Sequence, residues 1–150
     1  MTTCRSRPCR WCPYRRDVPS GIWATDHYLQ LAVYDRPTWQ QPVSGFRCHE
    51  STGQWCSGWA TCHSNRGHDH ELLALRLPPF PEIPSETTPL WTSGTAAAEH
   101  GLADIDEPSA AALDAMADLQ ARYPHLRTDP PSSSAHVLDS EDGPPAGPGP

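Results

Sequence analysis

The chain has 150 residues, 37% of them hydrophobic, with 18 prolines and 10 glycines. That length allows one modest domain with tails, and that composition excludes a large core running through the whole chain. No apolar run approaches the roughly 18 residues a membrane span needs, and Met1-Thr2-Thr3-Cys4-Arg5 lacks the apolar stretch of a secretory leader. A cytoplasmic protein with no membrane association is expected.

The formal net charge is −7, unevenly spread. Residues 1–76 carry nine arginines against six acidic residues, a net of +3, and residues 77–150 a net of −10. An acidic rear half argues against strong general affinity for DNA. All eleven basic residues are arginine, a pattern expected of GC-rich coding. All six cysteines lie in the first 62 residues: Cys4, Cys9, Cys12, Cys48, Cys56 and Cys62. Without an export signal, clustered cysteines beside histidines point to metal rather than to a disulfide framework.

In chain order, the first feature is Cys9-Arg10-Trp11-Cys12, followed by Pro13-Tyr14-Arg15-Arg16-Asp17. A C-x2-C turn presents two thiolates to one ion, and its short loop lets backbone N–H groups face the sulfurs. Arg15 and Arg16 beside Asp17 are expected to lock this loop through ion pairs. Thr25 to Asp35 predicts a short helix, with Tyr28, Leu29, Ala32 and Val33 at helical spacing, Thr25 or Asp26 as cap and Pro37 as stop. Ser44 to His49 predicts a short strand leading into a second group: Cys48-His49, Cys56-Ser57-Gly58-Trp59 and Cys62-His63. Trp55 to His63 reads as a turn or short helix, and Glu71 to Leu77 as a helix.

Cys9, Cys12, Cys48 and Cys56 are the expected metal ligands. Neighbours such as Cys48 and His49 seldom share an ion, because their side chains diverge. His49 is the alternative to Cys48, and Cys62 or His63 to Cys56; Cys4 is the least favoured. His68 and His70 read as a solvated loop, and His27, His100, His125 and His136 as surface residues. Trp11, Trp23, Trp55 and Trp59 are expected to cover the site and exclude water, while Gly21 and Gly58 permit tight turns.

Pro78-Pro79-Phe80-Pro81, Pro84 and Pro89 predict an extended linker. Thr95 to Ile105 is expected to be partly helical. Ser109 to Tyr123 is the clearest helix, with Ser109 as N-cap and Ala112, Met116, Leu119 and Tyr123 on one face. From about Thr128 the composition predicts disorder. The organisation is therefore a Cys/Trp/Arg-rich metal-binding module over 1–77, a Pro-rich linker over 78–92, a helical extension over 93–127 and an acidic Pro/Ser/Gly tail over 128–150. The fold class is small α+β: a metal-nucleated Cys-rich module with little regular sheet.

The motifs Cys9-x2-Cys12-Pro13-Tyr14-Arg15-Arg16-Asp17, Phe46-x-Cys48-His49 and Cys56-x-Gly58-Trp59 resemble a cysteine-rich domain-of-unknown-function family of actinobacteria and their phages. The resemblance covers about residues 9–77. It implies a small protein with a metal centre at Cys9, Cys12, Cys48 and Cys56, with His49 beside them, and carries over no activity.

No P-loop, dinucleotide fingerprint, zincin helix or nucleophile elbow occurs, so an enzyme is not expected. The leading expectation is a non-enzymatic protein with a structural Cys4 or Cys3His Zn²⁺ site and a protein or nucleic-acid partner. An iron–sulfur protein with a [4Fe–4S] cluster, acting in redox sensing or electron transfer, is the alternative. A nucleic-acid accessory protein using Arg10, Arg15, Arg16 and Arg47 is the second alternative.

Overall fold

The computed structural model describes residues 3–50, 53–76 and 88–124. Most of the expected linker and all of the expected tail, with His125 and His136, lie outside the described residues. The described chain is a mixed α+β arrangement of four helices and one very small sheet, so little regular sheet is borne out. No helix among the described residues is long and apolar enough to cross a membrane.

Helix α1 spans Thr25–Val33. Neither Thr25 nor Asp26 caps it: the N-cap is Ala24, which makes no side-chain hydrogen bond. Asp26 lies in the first turn, where its charge complements the helix dipole. The inward face is Tyr28 and Leu31, whereas Leu29 is 56% exposed, a correction to the expected apolar stripe. The Tyr28 hydroxyl turns back to accept from the N–H groups of Ile22 and Trp23, which fixes the chain entering the helix. Gly21, at φ +80°, makes the preceding turn in a conformation that glycine adopts without strain.

Helix α2 spans Ser57–Ser64, α3 Gly94–Ala103 and α4 Ala110–Arg122. Helix α3 packs on α1 through a face of small residues, Gly94, Ala97, Ala98 and Gly101. A Cβ at position 94 would collide with the Leu31 carbonyl, and one at 101 with the Tyr28 ring. Close helix contact here therefore requires glycine at both positions. Ser93 caps α3 by accepting from the Ala96 N–H at 3.0 Å. Asp35 adds a second cap from beyond the end of α1, accepting from Gly94 N at 2.8 Å and Thr95 N at 2.7 Å. Ser109 caps α4 as expected, accepting from Ala112 N at 3.1 Å. Ala112, Met116 and Leu119 are buried and Tyr123 half-buried, as the apolar face predicted.

The sheet pairs β1 (Thr3–Cys4) with β2 (Gln54–Trp55) in parallel, with Cys4 opposite Trp55. The strand expected over Ser44 to His49 reduces to one antiparallel bridge, Arg47 to Trp55. Nearby, Gly45 lies so close to the rings of Trp55 and Trp59 that a Cβ there would stand 2.7 Å from each. The helix expected over Glu71 to Leu77 is a short 3₁₀ turn at Leu73–Arg76. One hydrophobic cluster runs from Cys9 to Leu119, joining the cysteine-bearing loops to α4.

Candidate metal centre

Two loops bring the sulfurs together. In the first, Cys12 N donates to the Cys9 carbonyl at 3.1 Å and Arg15 N to the Cys12 carbonyl at 3.0 Å, giving two consecutive tight turns. In the second, Cys48 N donates to Gln54 O at 2.9 Å and Cys56 N to Phe46 O at 2.8 Å. That short antiparallel pairing sets Cys48 opposite Gln54 and Cys56 opposite Phe46, which places the two cysteines diagonally on one face. Cys56 is also the N-cap of α2, its sulfur accepting from Trp59 N at 3.4 Å. It therefore sits at the positive end of the helix dipole.

Cys9, Cys12, Cys48 and Cys56 are all buried, and no cysteine is in a disulfide. The Cys12 and Cys56 sulfurs are 3.7 Å apart. Cys9 lies within electrostatic reach of Cys12 and Cys48, and Cys48 of Cys56. Each of the four cysteines thus interacts with at least one other of the set. Among the described residues, no three or more His, Cys, Asp or Glu side chains form a group that holds an ion as they stand.

The thiols differ in the direction their environment shifts them. Hydrogen bonds from Cys12 and Cys48 hold the Cys9 thiol well below its ordinary range, against burial and helped by His49 and Arg5. Burial pushes Cys12 up, as do its thiol neighbours. The hydrogen bond to Cys9 pushes Cys48 up, with burial adding to it. Gly58 belongs to this site rather than to a turn: it lies within α2, and a Cβ there would stand 2.6 Å from the Cys12 sulfur.

The other donors considered from the sequence stand around this set. The His49 ring stacks on Trp23 at 4.1 Å and on His27 at 5.1 Å, and burial lowers it to about 4. Cys62, buried on α2 and pushed up to about 12 by burial, lines a cavity of about 290 Å³ with Thr61, Asn65, Leu90 and Trp91. His63 is fully buried and hydrogen-bonded to Tyr14 at 2.9 Å. Cys4 is half-buried and raised to about 11 by burial and by Cys56. His68 is exposed, and His70 bonds the Asp35 carbonyl. His27 and His100 are half-buried rather than free on the surface, the latter bonded to Val18 O at 2.8 Å.

Trp23 and Trp59 are fully buried, and Trp11 and Trp55 partly so. The arginines are held by their neighbours. Arg15 grips both oxygens of Asp17 at 2.9 and 2.8 Å, as the sequence suggested. Arg10, Arg16 and Arg47 lie over Trp11, Trp91 and Trp55, at 5.1, 5.2 and 4.6 Å. Arg5, Tyr14 and Asp35 had no role in the sequence reading. Their partners lie 43, 49 and 60 residues away, so no local pattern marks them.

No curated protein and no solved structure matches the chain significantly. A family match extends beyond the three cysteine motifs to α4. Over residues 4–119 the chain belongs to DUF6283, a family of unknown function.

Proposed function

We propose that the protein binds one Zn²⁺ through Cys9, Cys12, Cys48 and Cys56, and that the ion serves as a structural tie rather than a catalyst. The observation that carries this reading is the 3.7 Å separation of the Cys12 and Cys56 sulfurs, contributed by loops 44 residues apart. A tetrahedral ion with bonds of about 2.3 Å holds its ligand sulfurs about 3.8 Å apart. The donor set fits as well. Four buried thiols with no disulfide are a soft set suited to zinc. The room left by Gly58 lets the Cys12 sulfur lie against α2.

A closed four-thiolate zinc site contributes folding energy and does no chemistry of its own. Here it would join the first loop to the second across a sequence gap too long for local structure to bridge. An iron–sulfur cluster would draw on the same thiols but distribute them over several iron atoms. The 3.7 Å approach of Cys12 and Cys56 favours a single ion shared by that pair.

The test is elemental analysis and a visible spectrum on protein purified without oxygen and without added metal. About one zinc per chain in a colourless solution is expected, lost in Cys12→Ser together with the fold. Iron with acid-labile sulfide would replace zinc by a cluster. A Cys12→Ser chain that stays folded with full metal would remove Cys12 from the ligand set.

A further inference from the structure

A zinc ion with four thiolates carries a net charge of −2, and a buried site holds that charge only if donors and cations around it compensate. The Trp59 N–H on Cys56 is one such donor. The arginines near the site differ in what they have left to offer. Arg15 is committed to Asp17, and Arg10 and Arg47 lie exposed over tryptophan rings.

Arg5 is placed differently. Its Nη1 lies 3.7 Å from the Cys48 sulfur and donates to it, and the guanidinium is within electrostatic reach of Cys9. Strand β1 delivers it there: Cys4 pairs with Trp55, and Arg5 N donates to the Trp55 carbonyl at 3.1 Å. Glu50, whose side chain is 7% exposed, also lies 3.7 Å from the same Nη1. The short parallel strand thus sets a half-buried cation against two of the four sulfurs.

We propose that Arg5 is a positioning residue of the thiolate site: its guanidinium donates to Cys48 Sγ, compensates the charge of the metal–thiolate centre and so sets its affinity for the ion. This inference rests on the zinc reading above. Groups that hydrogen-bond metal ligands change affinity by about 10–100-fold when removed. A guanidinium that only anchors β1 to Glu50 would leave affinity unchanged once the chain is folded.

The experiment measures zinc dissociation constants of the full chain by competition with a chromophoric chelator, for wild type, Arg5→Met, Arg5→Lys and Glu50→Gln. Arg5→Met is expected to bind at least about 10-fold more weakly, with Arg5→Lys recovering most of that loss. Glu50→Gln, which frees Arg5 from its carboxylate, is expected to bind as tightly as wild type or more so. Far-UV circular dichroism in saturating zinc checks that each variant folds. If Arg5→Met fails to fold, Arg5→Lys carries the comparison, and a loss there of about 10-fold or more overturns charge compensation. Equal affinity of Arg5→Met and wild type, or a loss in Glu50→Gln matching that in Arg5→Met, also overturns it while the zinc site stands. A wild-type chain that takes up no zinc removes both proposals.

Discussion

The Tyr14 hydroxyl and Nε2 of His63 share a hydrogen bond of 2.9 Å between two fully buried side chains. It joins the segment after the first cysteine pair to α2. The Tyr14 ring also meets His63 and Phe46 edge-on, at 5.4 and 6.1 Å. Tyr14→Phe keeps those ring contacts and leaves the His63 nitrogen unpaired. A buried polar atom without its partner costs about 1–3 kcal/mol. Urea unfolding should show a lower midpoint, with zinc content unchanged. An unchanged midpoint would mean that the bond contributes nothing net.

His63 also gives the protein a pH dependence. Burial lowers it from 6.5 to about 4, against the attraction of Asp35, whose Oδ1 lies 3.5 Å from Nδ1. Its folded value is therefore below its unfolded one. The stability linked to neutral His63 is fully present above pH 6.5. It falls between about 6.5 and 4, where the unfolded chain takes up a proton that the folded chain refuses. The full effect is at most about 3 kcal/mol. Release of the proposed ion would add its own acid sensitivity, since ligand thiols must be deprotonated. The measurement is thus the difference between wild type and His63→Gln in unfolding free energy at pH 7.5 and pH 5. The wild type should lose more on acidification; parallel losses would show that His63 does not titrate in this window.

What the sequence made legible follows from where the information lies. Helix α4 could be read because its cap, Ser109, and its buried face are set by neighbours three and four residues away. The approach of Cys12 to Cys56 could be expected because the two cysteine groups read from the sequence as donors to one site. The inward face of α1 was misread at Leu29, because the partner that decides it is α3, about 70 residues on. Arg5 escaped notice for the same reason: its partner, Cys48, is 43 residues away, and β1 is too short to show a period. Asp35 looked like the tail of a helix and proved to be the cap of another.

Gly58 offers a test of the site that removes no thiol. A methyl group there would stand 2.6 Å from the Cys12 sulfur and 3.0 Å from Tyr14 Cβ. Because Gly58 lies in α2 at an ordinary helical conformation, alanine favours the helix by about 0.8–1 kcal/mol. Local propensity and site geometry therefore pull in opposite directions. Gly58→Ala should bind zinc more weakly, even though the same change on an exposed helical surface would stabilise. Replacing zinc by cobalt and recording the thiolate-to-metal bands should show an altered spectrum. Wild-type affinity and spectrum would mean that the sulfur moves freely away from α2 when the ion is bound.

Helix α4 should couple to the same site from outside. Leu119 is fully buried in the cluster that also contains Cys9 and Cys12, and Trp11 Nε1, from the loop between those cysteines, donates to Asp118 at 2.8 Å. Leu119→Ala deletes buried methyl groups and should cost about 2–5 kcal/mol. Since an ion that binds the folded chain draws on the same folding equilibrium, that loss should weaken apparent zinc affinity without changing the ligands. Trp11→Phe should act in the same direction by releasing the loop from α4. The cobalt spectrum separates this from damage at the site: both variants should match the wild-type bands once saturated, where Gly58→Ala does not. A changed spectrum in Leu119→Ala would show that α4 shapes the thiol arrangement itself and does not act through stability alone.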